Sequence, residues 1–262
     1  MVEPIDSIDD PRLADYRRVA EPAWLRDQGL FVAEGRLVVQ RLLERAGFRI
    51  KSILLTPAAY AAIGPGLNAA TVYVVPQAVV NEVTGINFHR GCLAIVHLPA
   101  ESALTDLLTG RRLLALEGVG NPDNLGGLFR VAAAFAVNGV LLGPACADPF
   151  YRKAIRTSMG AALSLPFARD EAWPSALERC RSAGYRILAL TPRPGATPIR
   201  SVAVSPDDRL LLLAGAEGSG LTDAALRCAD VQVRIPIASS VDSLNVTVAA
   251  GIALATLTSE RC

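Results

Sequence analysis

"RLLALEGVGNPDNLGGLFRVAAAFAVNGVLLGP", residues 112–144, decides the fold. It opens with an apolar run, "RLLALEGV", that shows no polar alternation, so as a strand it needs cover on both faces. A glycine-rich turn follows, then "GLFRVAAAFAV" as a helix, then a second apolar run, "GVLLGP", closed by Gly143-Pro144. Strand, helix and strand in succession make a βαβ unit with parallel strands.

The pattern continues to the C-terminus. "YRKAIRTSMGAALSLPF" reads as helix and turn, "PSALERCRSAGY" as helix and "RILALTP" as strand. "RLLLLAG" (strand), "GLTDAALRCA" (helix), "VQVRIPI" (strand) and a final apolar helix complete it. Apolar strands separated by helices predict a parallel sheet covered on both faces, an α/β fold. Upstream, helical spacing runs from Leu37 to Leu43 and ends at Gly47. "RIKSILLT", stopped by Pro57, "TVYVVP" and "GCLAIVHLP", closed by Pro99, read as strands of a smaller α/β unit. "AESALTDLLTGRR" reads as a helical connector, so two domains are expected, 1–104 and 105–262.

With 262 residues and a net charge of +1, the chain can bury a large core and carries no strong overall field. Residues 1–110 hold 10 Arg/Lys and 12 Asp/Glu, and 111–262 hold 16 and 13, so the C-terminal part is mildly basic. Five cysteines (Cys92, Cys146, Cys180, Cys228 and Cys262) form no C-x-x-C pair, which fits a reducing compartment and neither a disulfide framework nor a zinc site. The N-terminus is acidic and polar, so no signal peptide is expected. No apolar stretch of about 20 residues predicts a membrane span.

Ligands of such sheets bind beyond the carboxyl ends of the strands. Three strand ends carry polar or glycine-rich turns: "EGVGNPDNLGGLFR", "AGAEGSGLT" and "RIPIASSVDSLN". The first places Gly118, Gly120, Gly126 and Gly127 around Asn121, Asp123 and Asn124, ahead of a helix carrying Arg130. Bare N–H groups of such a turn can cradle a phosphate or cofactor. It is no G-x-G-x-x-G fingerprint, and no acidic residue ends the next strand, which argues against a Rossmann oxidoreductase. Arg130 is either a surface salt-bridge partner or a ligand group. Glu217, among three glycines, either complements a helix dipole or holds a cation such as Arg130.

The third loop leads into "SSVDSLNVTVAAGIALA", residues 239–255, a helix expected from Leu244 and apolar on most sides. Asp242 or Ser243 is the expected cap. Asn245, inside the expected helix, is not explained by capping. Serine-hydrolase chemistry needs a base; the two histidines, His89 and His97, both lie in the first unit and read as structural. No metal-ligand cluster stands out. What remains is Arg, Glu, Ser and Asn on glycine-rich turns, groups suited to holding a cofactor and orienting a hydroxyl or phosphate.

At these positions the chain resembles the SpoU (TrmH-type) branch of the SPOUT RNA methyltransferases. The family's N-x-G-x-x-x-R run matches Asn124 to Arg130, and its G-x-E-x-x-G-L run matches Gly215 to Leu221. Its I-P run followed by S-L-N matches Ile235-Pro236 and Ser243-Leu244-Asn245, with Ile237 where Met is common. "RTSMGA", Arg156 to Ala161, is similar to a segment between the first two motifs. "FVAEGRLVVQRLLE" is similar to the family's N-terminal recognition domain, which has a ribosomal-protein-like α/β fold.

The resemblance implies a C-terminal parallel-sheet domain tied into a trefoil knot, a topology that sequence reasoning alone would reject. It implies S-adenosyl-L-methionine as cofactor, held by Ala214, Gly215, Glu217, Gly220, Ile235, Pro236 and Leu244, and no metal. Catalytic roles fall to Asn124, Arg130, Glu217, Ser243 and Asn245, and the reaction is methylation of a ribose 2′-hydroxyl in RNA. A separate N-terminal domain favours ribosomal over transfer RNA, with a non-catalytic RNA-binding module as the alternative. A homodimer, with the helix 244–257 a candidate for its interface, and a cytoplasmic location without membrane contact are also implied.

Overall fold

The computed structural model describes residues 2–45, 47–64, 67, 71–85, 91–205 and 207–258. His89 and Cys262 lie outside the described residues. The chain divides into two compact units, Met1–Ala100 with Phe150–Gly160, and Glu101–Pro149 with Ala161–Cys262.

The first unit contains β1 (Val2–Pro4), α1 (Pro22–Asp27), β2 (Leu30–Glu34), α2 (Arg36–Leu43), β3 (Ile50–Leu55), α3 (Pro57–Ile63), β4 (Val72–Val74), α4 (Gln77–Thr84) and β5 (Cys92–His97). Its mixed sheet has the order β1-β4-β3-β5-β2. β4 lies parallel to β1 and β3, whereas β5 lies antiparallel to β3 and β2. The three strands read from the sequence are present. Two further strands go beyond that reading: the three-residue β1, and β2, which runs directly ahead of the helical spacing that begins at Leu37 and has all five of its residues buried. The helix itself, α2, stops at Leu43, short of Gly47. Pro57 ends the strand, as its missing N–H requires, and opens α3, which Thr56 caps by accepting from the Ala59 N–H.

Phe150–Gly160, which includes α7 (Arg152–Thr157), packs inside this unit. Phe150 stacks on Phe31 at 4.9 Å between ring centroids, and Arg152 meets the buried Glu34 carboxylate at 2.9 Å. A buried carboxylate needs such a partner.

The second unit begins with α5 (Leu104–Leu107), a single turn where a longer connector was expected. It continues with β6 (Arg112–Glu117), α6 (Pro122–Ala134), β7 (Gly139–Leu142), β8 (Phe167–Arg169), α8 (Ser175–Ser182) and β9 (Tyr185–Leu190). β10 (Thr197–Pro198), β11 (Arg209–Gly215), α9 (Asp223–Arg227), β12 (Val231–Arg234) and α10 (Val246–Thr258) complete it. All seven strands are parallel in the order β10-β12-β9-β11-β6-β7-β8, as the continuous apolar runs predict. β8, too short to stand out in "AALSLPF", was not read separately. One buried cluster under the sheet joins Leu113, Leu141, Leu177, Ile187, Leu211 and Leu226.

Two helix starts differ from the sequence reading. α6 begins at Pro122, before Gly126-Gly127, because Asn121 accepts from the Asp123 N–H and proline is preorganised for a first helical position. Asn124 therefore sits in the first turn of a helix, not in a loop. Gly127 is there for packing: a Cβ would come within 2.8 Å of the Thr247 side chain on α10. α10 begins at Val246, two residues later than expected, for a reason that belongs to the site.

Candidate active site

Two of the three loops singled out at strand ends, those after β11 and β12, converge with the loop after β9; the loop after β6 joins them through the Asn124–Asn245 hydrogen bond. The loops after β9, β11 and β12 enclose a cleft of about 130 Å³. Leu190, Thr191 and Pro192 form one wall, and Ala214 to Gly218 with Gly220 form another. Ile235, Ile237, Ser243, Leu244, Val246 and Ala249 close the third side. The walls are largely apolar and backbone, with the exposed Glu217 as their carboxylate.

The loop after β11 is shaped by close backbone approach. At Gly215 a Cβ would stand 2.4 Å from the carbonyl carbon of Gly220, so only glycine lets the loop fold back on itself. Gly220 N–H donates to Ala216 O at 3.1 Å, and Gly218 and Gly220 hold φ of +85° and +69°. Beyond the loop, Thr222 caps α9, and Arg193 from the loop after β9 pairs with Asp223 at 2.7 Å. That hydrogen bond lowers the Asp223 carboxyl below its ordinary range.

Asn245 is the residue that joins the loops. Its side-chain oxygen accepts from the N–H groups of Thr247 (2.9 Å) and Val248 (3.3 Å), so Asn245 caps α10. This corrects the expectation that Asp242 or Ser243 caps the helix and that Asn245 lies inside it; asparagine is as good a cap as either. The same amide nitrogen donates to Asn124 Oδ1 at 3.0 Å and to Glu217 Oε1 at 2.5 Å. Thr247 Oγ1 adds a bond to the Asn124 carbonyl at 3.2 Å. Both acceptor and donor sides of the Asn245 amide are thus engaged, which fixes its orientation.

Of the residues expected to be catalytic, Asn124, Glu217 and Asn245 form one hydrogen-bonded chain, and Ser243 lies in the cleft wall. Glu217 pairs with Asn245 and not with Arg130. Arg130 is exposed on α6 and, among the described residues, has no hydrogen bond or ion pair. Of the residues expected to hold a cofactor, Ala214, Gly215, Glu217, Gly220, Ile235 and Leu244 all line the cleft. Pro236 stands exposed between Ile235 and Ile237, outside the lining. Thr191, Glu117, Thr222 and Thr247 were missed; a glutamate ending the buried run "RLLALE" was the readable signal for one of them. Among the described residues, no group of three or more His, Cys, Asp or Glu could hold a metal, and no helix is long and apolar enough to cross a membrane.

Residues 111–255 match the SpoU rRNA Methylase family. An uncharacterised tRNA/rRNA methyltransferase of Mycobacterium bovis is 40% identical over 260 residues, 96% of this chain and 90% of that one. RlmP of Bacillus subtilis, a 23S rRNA guanosine 2′-O-methyltransferase, is 27% identical over 95% of this chain and 96% of its own. The crystal structure of an AdoMet-bound rRNA methyltransferase from Sinorhizobium meliloti superposes with a TM-score of 0.85 at 28% identity, covering 100% and 99% of the two chains. Fold, cleft and motif order define an α/β methyltransferase. The chain belongs to the SpoU rRNA methylase family.

Proposed function

We propose that this protein methylates a ribose 2′-hydroxyl of ribosomal RNA with S-adenosylmethionine, using the cleft at the ends of β9, β11 and β12. S-adenosylmethionine-dependent RNA 2′-O-methylation is the activity of its family, and it is the activity of this chain. The observation that carries the site is the Asn124–Asn245–Glu217 hydrogen-bonded chain at the rim of a mostly apolar cleft.

The residues present fit the cofactor. Apolar side chains of Leu190, Ile235, Leu244 and Val246 suit a flat purine, and Gly215 leaves no side chain between the ligand and the backbone of the folded-back loop. Ala214, Gly220 and Pro236 are assigned to the same cradle, with Pro236 acting through the turn between Ile235 and Ile237. When bound, S-adenosylmethionine supplies a methyl group on a sulfonium, a leaving group that needs no activation by the protein.

The chain's own residues then align the ribose hydroxyl with the methyl group. Asn245, with every side-chain hydrogen-bonding group engaged, is a positioning residue that holds Glu217 and Asn124. Arg130, exposed and uncommitted, is assigned the ribose hydroxyl and its neighbouring phosphate, for which a guanidinium fork is suited. A guanidinium keeps its protons in a protein and accepts none, so it polarises the hydroxyl, whose proton leaves late to solvent water. Ser243, whose hydroxyl has no partner among the described residues, is assigned to orient the substrate beside it.

Several finer assignments complete the proposal. Residues 1–104 serve RNA recognition and 105–262 catalysis, with the C-terminal sheet knotted as in its family. The working form is a cytoplasmic homodimer. Val248 and Ile252, one turn apart on α10, are 50% and 39% exposed, and Ile237 and Val241 add exposed apolar surface in the same unit. Ribosomal RNA is favoured over transfer RNA by the names of the Bacillus and Sinorhizobium relatives.

The test is transfer of a radiolabelled methyl group to size-separated RNA from cells lacking this gene, with Asn245→Ala as control. Label in a large ribosomal band, lost in the variant, supports the proposal. Label in the transfer-RNA band overturns the substrate class, and the absence of cofactor binding overturns the cleft assignment.

A further inference from the structure

Glu117 ends β6 directly beside Gly215 in the β11–β6 register, and it is 6% exposed. Its carboxylate accepts from the Thr222 N–H through Oε2 and from the Thr222 hydroxyl through Oε1, both at 2.8 Å. No cation pairs with it among the described residues. The chain leaves the sheet at Gly215, folds back through Glu217, Gly218 and Gly220, and is caught again at Thr222 by the residue next to its point of departure. The loop is therefore closed at both ends across β6.

We propose that Glu117 is a positioning residue for cofactor binding, acting through Thr222 to hold the Gly215–Leu221 loop in the shape that forms one wall of the cleft; this rests on reading the cleft as the S-adenosylmethionine site. Physically, a buried carboxylate without partners is costly, so the pair settles in one arrangement rather than several. Thr222 accepts in turn from the Ala225 N–H at 3.2 Å, so the same hydroxyl ties the loop to the start of α9. Fixing the loop before the ligand arrives removes an ordering cost from binding. Glu217 within the loop is held separately by Asn245, and bound cofactor holds the remainder of the wall, so the effect of Glu117 falls on affinity and not on the rate of the bound complex.

The experiment compares wild type with Glu117→Gln, Thr222→Val, Thr222→Ser and the Glu117→Gln/Thr222→Val pair. S-adenosylmethionine affinity is measured by calorimetry and turnover at saturating cofactor by methyl transfer. The glutamine keeps one acceptor and turns an amide donor toward the other Thr222 donor, so affinity should fall about tenfold, the scale of a charge-assisted hydrogen bond. Thr222→Val should weaken binding similarly, Thr222→Ser should behave as wild type, and the double variant should be no weaker than the worse single one. Saturated turnover should stay within about twofold of wild type, the split expected when only binding is lost.

Wild-type affinity in Glu117→Gln, or equal losses of affinity and saturated turnover, overturns the inference, as does simple additivity in the double variant. Hydrogen exchange on the cofactor-free proteins keeps the two readings apart. Faster exchange at the amides of 218–222 in Glu117→Gln upholds the positioning role even if wild type fails to bind S-adenosylmethionine, an outcome that would sink the cofactor site alone. Unchanged exchange there overturns the positioning role.

Discussion

Asn245 donates to Glu217 at 2.5 Å through the same amide whose oxygen caps α10. One side chain therefore ends a loop, starts a helix and orders the rim of the cleft. The two duties are carried by opposite ends of the amide, which makes them separable by substitution.

Asn245→Asp keeps an oxygen for the cap but replaces the donor facing Glu217 and Asn124 with a second acceptor. Its thermal midpoint should lie above that of Asn245→Ala, which loses about 1 kcal/mol of capping. Both variants should lose methyl transfer, by about 100-fold or more, since a misplaced rim costs that order of rate. Calorimetric melting and a methyl-transfer assay on the pair check this. Equal midpoints would mean that the cap contributes nothing, and an active aspartate would mean that the donor does not matter.

Arg130 is the opposite case, an exposed cation with no described partner. Arg130→Lys and Arg130→Ala should leave the melting temperature within error, because surface substitutions without contacts rarely exceed about 0.5 kcal/mol. Methyl transfer should fall in both, since a lysine cannot reproduce the bidentate fork. Arg130→Lys with near-normal turnover and an unchanged pH profile would remove any special role for the guanidinium.

Much of this was legible in the sequence, and the failures have physical causes. The parallel sheet followed from runs such as "RLLLLAG", because a strand buried on both faces has no polar positions to blur it. β2 escapes such a reading because four apolar residues and a glutamate directly before a helix carry no period of their own. The motif positions at 124, 217 and 245 came together as the strand-end rule requires. What the sequence could not show was the direction of each bond: Glu217 with Arg130 was as plausible on charge as Glu217 with Asn245. The Glu117–Thr222 pair is 105 residues apart, and only the β11–β6 register brings it together.

Gly215→Ala tests the folded-back loop. The added methyl would meet the backbone at 2.4 Å, where no side-chain rotation relieves it. The loop must open, so S-adenosylmethionine affinity should fall by at least about 100-fold, with a stability loss of about 1–3 kcal/mol, the usual cost of overpacking. Titration calorimetry and chemical denaturation measure the two separately. Tight binding in Gly215→Ala would show that the observed loop shape is not the one the ligand needs.

Val248 and Ile252 test the assembly. On a helix as apolar as α10, whose inner face packs on α6 through Gly127 and Gly251, an outer face bearing two half-exposed aliphatic residues has no folding role to play. If that face meets a second copy, Val248→Glu with Ile252→Glu places four carboxylates near one another across a two-fold axis, and like charges there are strongly unfavourable. Sedimentation equilibrium should show a dimer for wild type and a monomer for the double variant. The melting temperature of the monomer should fall only as far as dilution lowers it for wild type, because the core beneath is untouched. A wild-type monomer at micromolar concentration, or a dimer that survives both glutamates, would move the interface elsewhere or remove it.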